Sequence, residues 1–131
     1  MFIDNKFVIR YFYFEEKHAT QEQIRLTTNI FRAVESHTCL KFLKTTQETA
    51  GYDLTSIRVA VIDMGCAAYL GRFSKGWSNI ALGDCDEEYK ALHELLHIMG
   101  FIHEQARPDR DRFVNIHWDN IIPRAYPQFA K

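Results

Sequence analysis

The sequence lacks both an excess of one charge and any long apolar run. Its 16 basic and 17 acidic residues leave a formal net charge of −1, which gives no electrostatic indication of nucleic-acid binding. No segment is long and apolar enough to span a membrane, and none resembles the apolar core of a signal peptide. Repeats and low-complexity linkers are also lacking. With 47% hydrophobic residues, the chain is predicted to form one domain with its own core.

Cysteine is scarce, and its count of three is odd. In a secreted protein, an odd count leaves one thiol without a partner in the same chain. In a cytosolic protein, Cys39, Cys66 and Cys85 would instead be three reduced residues of the core. The count alone leaves both possibilities open.

The order of the segments predicts an α+β fold. Thr20 and Gln23 form a capping box, which predicts a helix from there to about Ser36. Its apolar face would comprise Ile24, Ile30, Phe31 and Val34. Five segments rich in β-branched and aromatic residues, or bounded by turn residues, predict strands, at 7–14, 40–45, 56–62, 66–72 and 79–83. Turn signals lie at 50–51, 64–65 and 75–76.

One segment places three histidines, a glutamate and a glycine at the spacing of a catalytic zinc site. Residues four apart share a helix face, so His93 and His97 can direct their imidazoles to one point. Glu94 points to a neighbouring side, where it can act as a general base without binding the metal. His103 lies too far along to share that face, so the chain must turn sharply. Gly100 permits this turn because glycine accepts a positive φ at little steric cost.

The helix that carries this motif has candidate caps and an apolar face. Asp84 or Asp86 can cap it, and Glu87 and Glu88 in its first turn oppose the positive end of its dipole. The apolar face comprises Leu95, Leu96, Ile98 and Met99. Such a face predicts that the helix is buried, whether or not it binds a metal.

The motif also has a simpler explanation. The pattern His-Glu-x-x-His occurs by chance on surface helices, and its histidines would then be ordinary helical residues. A turn glycine and a third histidine at fixed offsets remove most chance matches, and they favour zinc. The other histidines lie in unrelated segments and are expected at the surface; they are His18, His37 and His117.

The extended motif is typical of the metzincin clan, and the residues after it resemble the astacin family. Segment 103–114 has the sequence HEQARPDRDRFV, and the family pattern places Glu after the third histidine, then Arg-x-Asp-Arg-Asp and a hydrophobic residue. By itself, that run of charges would be typical of a solvated turn. Segments 8–11, 39–42 and 65–72 are similar to the family's first strand, the strand after its first helix and its cleft-edge strand. The resemblance covers nearly all of the chain.

The resemblance implies that residues 1–131 form the N-terminal part of an astacin-like peptidase domain. The family's downstream Ser-x-Met-x-Tyr segment, which supplies the Met-turn and a tyrosine ligand, has no counterpart here, so we expect the C-terminal lobe to be missing. Cys66 and Cys85 match a family disulfide, which would contribute about 3 kcal/mol. Cys39 resembles a cysteine whose partner belongs to the missing lobe. The resemblance also implies a secreted protein, and it places Tyr69 at the cleft edge, although a packed strand tyrosine is equally consistent with the sequence.

The resemblance further implies a function. An extended peptide would pair with the edge of the strand at 66–72, using backbone hydrogen bonds that suit many sequences. One zinc ion held by the three histidines would polarise the scissile carbonyl, while Glu94 would deliver an activated water and pass its proton to the leaving amine. The sequence therefore predicts a zinc metalloendopeptidase that acts on proteins. The alternatives are a catalytically idle lobe that binds zinc and peptide, and a structural domain without metal.

Overall fold

The chain folds as two compact units, Met1–Gly100 and Phe101–Lys131. A computed structural model describes residues 2–50, 56–61, 65–73 and 76–131, with only the backbone for residues 2 and 3. The described part of the first unit contains six strands, which are β1 (Phe2–Ile3), β2 (Lys6–Phe14), β3 (Leu40–Lys44), β4 (Ile57–Ala60), β5 (Cys66–Ala68) and β6 (Ser78–Leu82). Its α-helices are α1 (Gln21–His37), α2 (Gln47–Ala50) and α3 (Glu88–Ile98). No helix among the described residues is long and apolar enough to cross a bilayer.

The six strands form one mixed sheet with the order β1-β2-β4-β6-β5, and β3 also pairs with β2. Strand β2 is parallel to both β3 and β4, and β4 is parallel to β6. The two short end strands run the other way, since β1 is antiparallel to β2 and β5 is antiparallel to β6. The order leaves β5 at one end of the sheet, where β6 is its only partner among the described residues.

The α+β prediction is confirmed, because each of the five predicted strand segments contains a strand. Strand β5 is shorter than predicted: it ends at Ala68 rather than Arg72. The strand cannot reach Arg72, since Gly71 has a φ of +69°, which is incompatible with an extended strand. The sequence did not predict β1 or α2, which are only two and four residues long. The predicted strand end at Ile62, and one residue of each turn signal (51, 64 and 75), lie outside the described residues.

Helix α1 begins as predicted and packs its apolar face into the core. The Thr20 hydroxyl accepts a hydrogen bond from the Gln23 amide at 3.1 Å, and the Gln23 side chain accepts one from the Thr20 amide at 2.9 Å. The Gln23 side-chain amide also donates to the carbonyl of Val61, so the cap connects α1 to the end of β4. Of the predicted apolar face, Ile30, Phe31 and Val34 are buried, whereas Ile24 is half-buried. Phe31 stacks on Phe42 of β3 with ring centroids 4.2 Å apart.

The predicted cap of α3 is wrong. The helix begins later than expected, so its N-cap is Glu87, which makes no side-chain capping bond. The carboxylate of Asp86 instead accepts a hydrogen bond from Lys90 at 2.6 Å, and Asp84 lies farther upstream. Glu88 does lie in the first turn, as predicted. Because the N-cap makes no side-chain hydrogen bond, most of the stability of α3 is expected to come from its buried residues, Ala91, Leu95 and Ile98.

The cysteines divide into a bonded pair and a free thiol. Cys66 at the start of β5 forms a disulfide bond with Cys85, and their Cα atoms are 5.0 Å apart. Cys39 is exposed and free. The disulfide therefore joins the end strand of the sheet to the segment that leads into α3.

The second unit is built from short 3-10 helices around one buried arginine. These helices span Glu104–Ala106, Arg110–Arg112, Trp118–Asn120 and Pro123–Phe129. Arg110 is only 8% exposed, and its guanidinium donates to the carbonyls of Gln105 and Phe129. The charged run is therefore not a simple solvated turn, because one of its cations holds the unit together.

Candidate metal centre

Helix α3 brings His93 and His97 together. They lie one helical turn apart, and their imidazole centroids are 4.5 Å apart with the rings nearly perpendicular, at 86°. His93 is exposed and His97 is half-buried. Two potential ligand side chains thus lie on the same face of the helix, as the four-residue spacing predicts.

The chain turns directly after this pair. Gly100 has a φ of +95°, and its amide donates to the carbonyl of His97 at 2.9 Å. The amide of Met99 donates to the carbonyl of Leu95 at 3.2 Å, which closes the last turn of α3. The predicted role of Gly100 as the turn residue is consistent with this conformation, since the left-handed region strains any residue with a Cβ.

The three motif histidines form a group that can hold a metal ion. One ligand nitrogen from each of His93, His97 and His103 can be chosen so that all lie within 4.8 Å of one another. An all-imidazole set of three ligands suits zinc, and it leaves a fourth position for water or substrate. The chemistry of these donors therefore fits the predicted ion. The remaining histidines, His18, His37 and His117, are exposed, as predicted.

Glu94 follows the first histidine and lies on the neighbouring side of α3. It is half-buried and does not belong to the group of potential ligands. A carboxylate in this position can accept a proton next to a metal site without occupying a coordination position. Its position in the helix is consistent with the predicted role of a general base.

Strand β5 packs against α3 and is the last strand in the order of the described sheet. Tyr69, which follows it, is 62% exposed and contacts Phe73 edge-to-face with ring centroids 5.2 Å apart. Tyr69 is therefore not a packed core tyrosine. Its amide donates to the carbonyl of Asn79 at 3.2 Å, so some pairing with the neighbouring chain continues past the end of β5.

A cavity of about 700 Å³ adjoins this end of the sheet. Its lining includes three aromatic residues, Tyr69, Phe73 and Trp77, together with Arg58 of β4. Sequence reasoning did not identify this cavity. The signal that could have revealed it is the presence of several aromatic residues around a glycine turn, but their side chains converge only because β5 and β6 pair.

The comparisons with known proteins agree with this geometry. The family model described as Astacin, a family of peptidases, matches residues 4–131. High choriolytic enzyme 1 of Oryzias latipes is 42% identical over 103 residues, which cover 76% of this chain and 35% of that protein. Tolloid-like protein 2 of Homo sapiens is 37% identical over 113 residues, which cover 86% of this chain and 11% of that protein.

A solved structure is also similar. High choriolytic enzyme 1, described as a hatching enzyme zinc-protease from Oryzias latipes, matches with a TM-score of 0.81 and 32% sequence identity. The match covers 100% of this chain and 62% of that one. This chain therefore spans only part of the length of the relatives that it matches.

Proposed function

Because this chain belongs to the astacin family of peptidases, we propose that it is a zinc metalloendopeptidase that hydrolyses peptide bonds in proteins. The observation that carries the proposal is the group of three imidazoles in the segment that begins on α3. His93, His97 and His103 would be the ligands of one zinc ion. Glu94 would be the general base.

The chemistry divides between the ion and the protein. When bound, zinc supplies a Lewis acid that polarises a carbonyl and lowers the pKa of water to about 7. Glu94 takes the proton from the attacking water, and the same carboxyl then gives a proton to the amine that leaves. Its half-buried position beside His93 supports this role, since the carboxylate stays close to the site without being a ligand.

The substrate would be an extended segment of a protein chain. Within the described ranges, strand β5 is paired on one side only, so its other edge would offer backbone groups with which a peptide can form an additional strand. Backbone pairing suits many sequences, which supports an endopeptidase rather than an enzyme for one small molecule. The disulfide between Cys66 and Cys85 supports a secreted protein, because such bonds persist in oxidising compartments.

Metal analysis and protein digestion test the proposal together. We expect about one zinc ion per chain, and cleavage of denatured casein by the zinc-loaded protein. His97→Ala should lose both, because it removes a ligand. The matched control is His37→Ala, which changes an exposed histidine at the end of α1 and should retain both.

A second variant separates the base from the ligands. Glu94→Ala should retain zinc but lose hydrolysis, because the base is not a ligand. Loss of zinc in this variant would contradict the assigned role of Glu94. Zinc binding by the wild-type protein without any cleavage would overturn the endopeptidase proposal and support the idle, peptide-binding alternative.

A further inference from the structure

The segment after β5 is fixed to the end of the metal-binding helix. The amide of Gly71 donates to the carbonyl of His97 at 2.7 Å. The carbonyl of Gly71 faces the hydroxyl of Ser78, a buried residue at the start of β6, at 3.4 Å. Gly71 thus contacts two elements at once, one through its amide and one through its carbonyl.

Position 71 favours glycine because of its backbone conformation, and not because a side chain would lack room there. Its φ of +69° lies in the left-handed region, which disfavours residues with a Cβ. A Cβ at this position would meet only the Cα of Gly100, at an ordinary distance of 3.9 Å. A substitution therefore strains the backbone here without a steric clash, and asparagine tolerates that strain better than alanine does.

The bond from Gly71 is not required to complete the helix end. The carbonyl of His97 already accepts a hydrogen bond from the amide of Gly100 at 2.9 Å, within the turn itself. The bond from Gly71 is additional, and it comes from the chain that follows the sheet edge. Its effect is therefore on the sheet edge, which it holds at a fixed position relative to α3.

We propose that Gly71 is a positioning residue that sets where a bound peptide lies relative to the metal-binding helix. This inference rests on the proposed function, because it assumes that the peptide pairs with β5. A peptide hydrogen-bonded to the edge takes its position from β5, whereas the metal ligands take theirs from α3. Gly71 joins these two elements, so straining it shifts the edge while the histidines on α3 keep their own spacing.

Hydroxamates of increasing length test this role without relying on turnover. Acetohydroxamate binds a catalytic zinc ion but is too short to pair with a strand, whereas a tripeptidyl hydroxamate can do both. The measured quantity is the gain in affinity from the first to the second, obtained by calorimetry on the zinc-loaded protein. One or two backbone hydrogen bonds correspond to a gain of about 10-fold.

Three variants give the expected pattern. Gly71→Ala should bind zinc and acetohydroxamate as the wild type does. Its affinity for the tripeptidyl hydroxamate should fall by about 10-fold, which removes most of the gain. Gly71→Asn should retain the gain, because asparagine tolerates a positive φ. Gly76→Ala is the matched control, since Gly76 has a φ of +84° with nothing within 4 Å of an added Cβ. It should retain the gain as well.

Amide hydrogen exchange gives an independent measurement. The amides of residues 66–68 should exchange faster in Gly71→Ala than in the wild type, while those of α3 should be unchanged. An undiminished gain in Gly71→Ala, or an equal loss in Gly76→Ala, would overturn the inference while the metal site stands. A wild-type protein that binds no acetohydroxamate would overturn the metal site itself, and the inference with it.

Discussion

At the residue scale, the spacing of the histidines predicts most of the arrangement of the candidate metal ligands. The four-residue interval of His93 and His97 fixes their shared helix face, and Gly100 has the positive φ that the interval before His103 requires. What the sequence could not predict is the hydrogen bond from Gly71 to the carbonyl of His97. Such a contact depends on how a sheet edge packs against a helix, and no local pattern encodes it.

Tyr13 on β2 predicts a dependence of stability on alkaline pH. The side chain is 6% exposed, and burial raises the pKa of Tyr13 from 10.0 to about 12. A raised pKa means that the folded state favours the neutral phenol more than the unfolded chain does. The resulting stabilisation is complete below pH 10 and is lost as the pH rises from 10 towards 12.

Removing the titrating group tests this dependence. Tyr13→Phe should show a smaller decrease in the free energy of unfolding between pH 10 and 12 than the wild type, measured by urea denaturation at each pH. Tyr69→Phe, which changes an exposed tyrosine, should behave as the wild type does. Parallel curves for Tyr13→Phe and the wild type would contradict the assignment.

At the scale of single elements, helix α3 shows which predictions follow from local sequence. Of its predicted apolar face, Leu95 and Ile98 are buried and Met99 is half-buried, whereas Leu96 is 37% exposed. The apolar pattern therefore predicted only part of the buried face, because the pattern does not show how far the core extends round the helix. Its start could not be predicted, since Asp84, Asp86 and Glu87 are all acceptable near an N-terminus. The competing bond from Asp86 to Lys90 appears only in the structure. The predicted length of β5 was also wrong, because the sequence does not show that Gly71 adopts a turn conformation before Arg72.

Two neighbouring leucines on α3 give a prediction at this scale. Leu95 is 0% exposed within the core, whereas Leu96 is 37% exposed. Leu95→Ala should lower the free energy of unfolding by about 3 kcal/mol, because it removes buried methyl groups and leaves a cavity. Leu96→Ala should cost less than about 1 kcal/mol. Equal losses in urea denaturation would mean that α3 packs through a different face.

At the scale of the whole molecule, the odd number of cysteines is resolved into one disulfide bond and one exposed thiol. Cys66 and Cys85 are 19 residues apart, and closing a loop of that size contributes about 3 kcal/mol. The double variant Cys66→Ser, Cys85→Ser should therefore unfold at lower urea concentration than the wild type. Cys39→Ser should be neutral, since Cys39 is exposed and free.

Thiol titration provides the complementary measurement. The wild-type protein should react with one equivalent of a disulfide reagent without denaturant, and Cys39→Ser should react with none. Three reactive thiols in the unfolded, unreduced wild-type protein would contradict the bond between Cys66 and Cys85.

The parallel pairing of β2 also determines when the sheet can form on a growing chain. Strand β2 can pair with β3 once the chain up to Lys44 has left the ribosome. Its pairing with β4 must wait until Ala60 has emerged, and the pairing of β4 with β6 must wait until Leu82 has emerged. Contacts between distant residues must first overcome the entropy of closing the chain between them. The β2-α1-β3 unit is therefore expected to assemble first, and β5 and α3 can be added to it only after Leu82 and Ile98 have been synthesised.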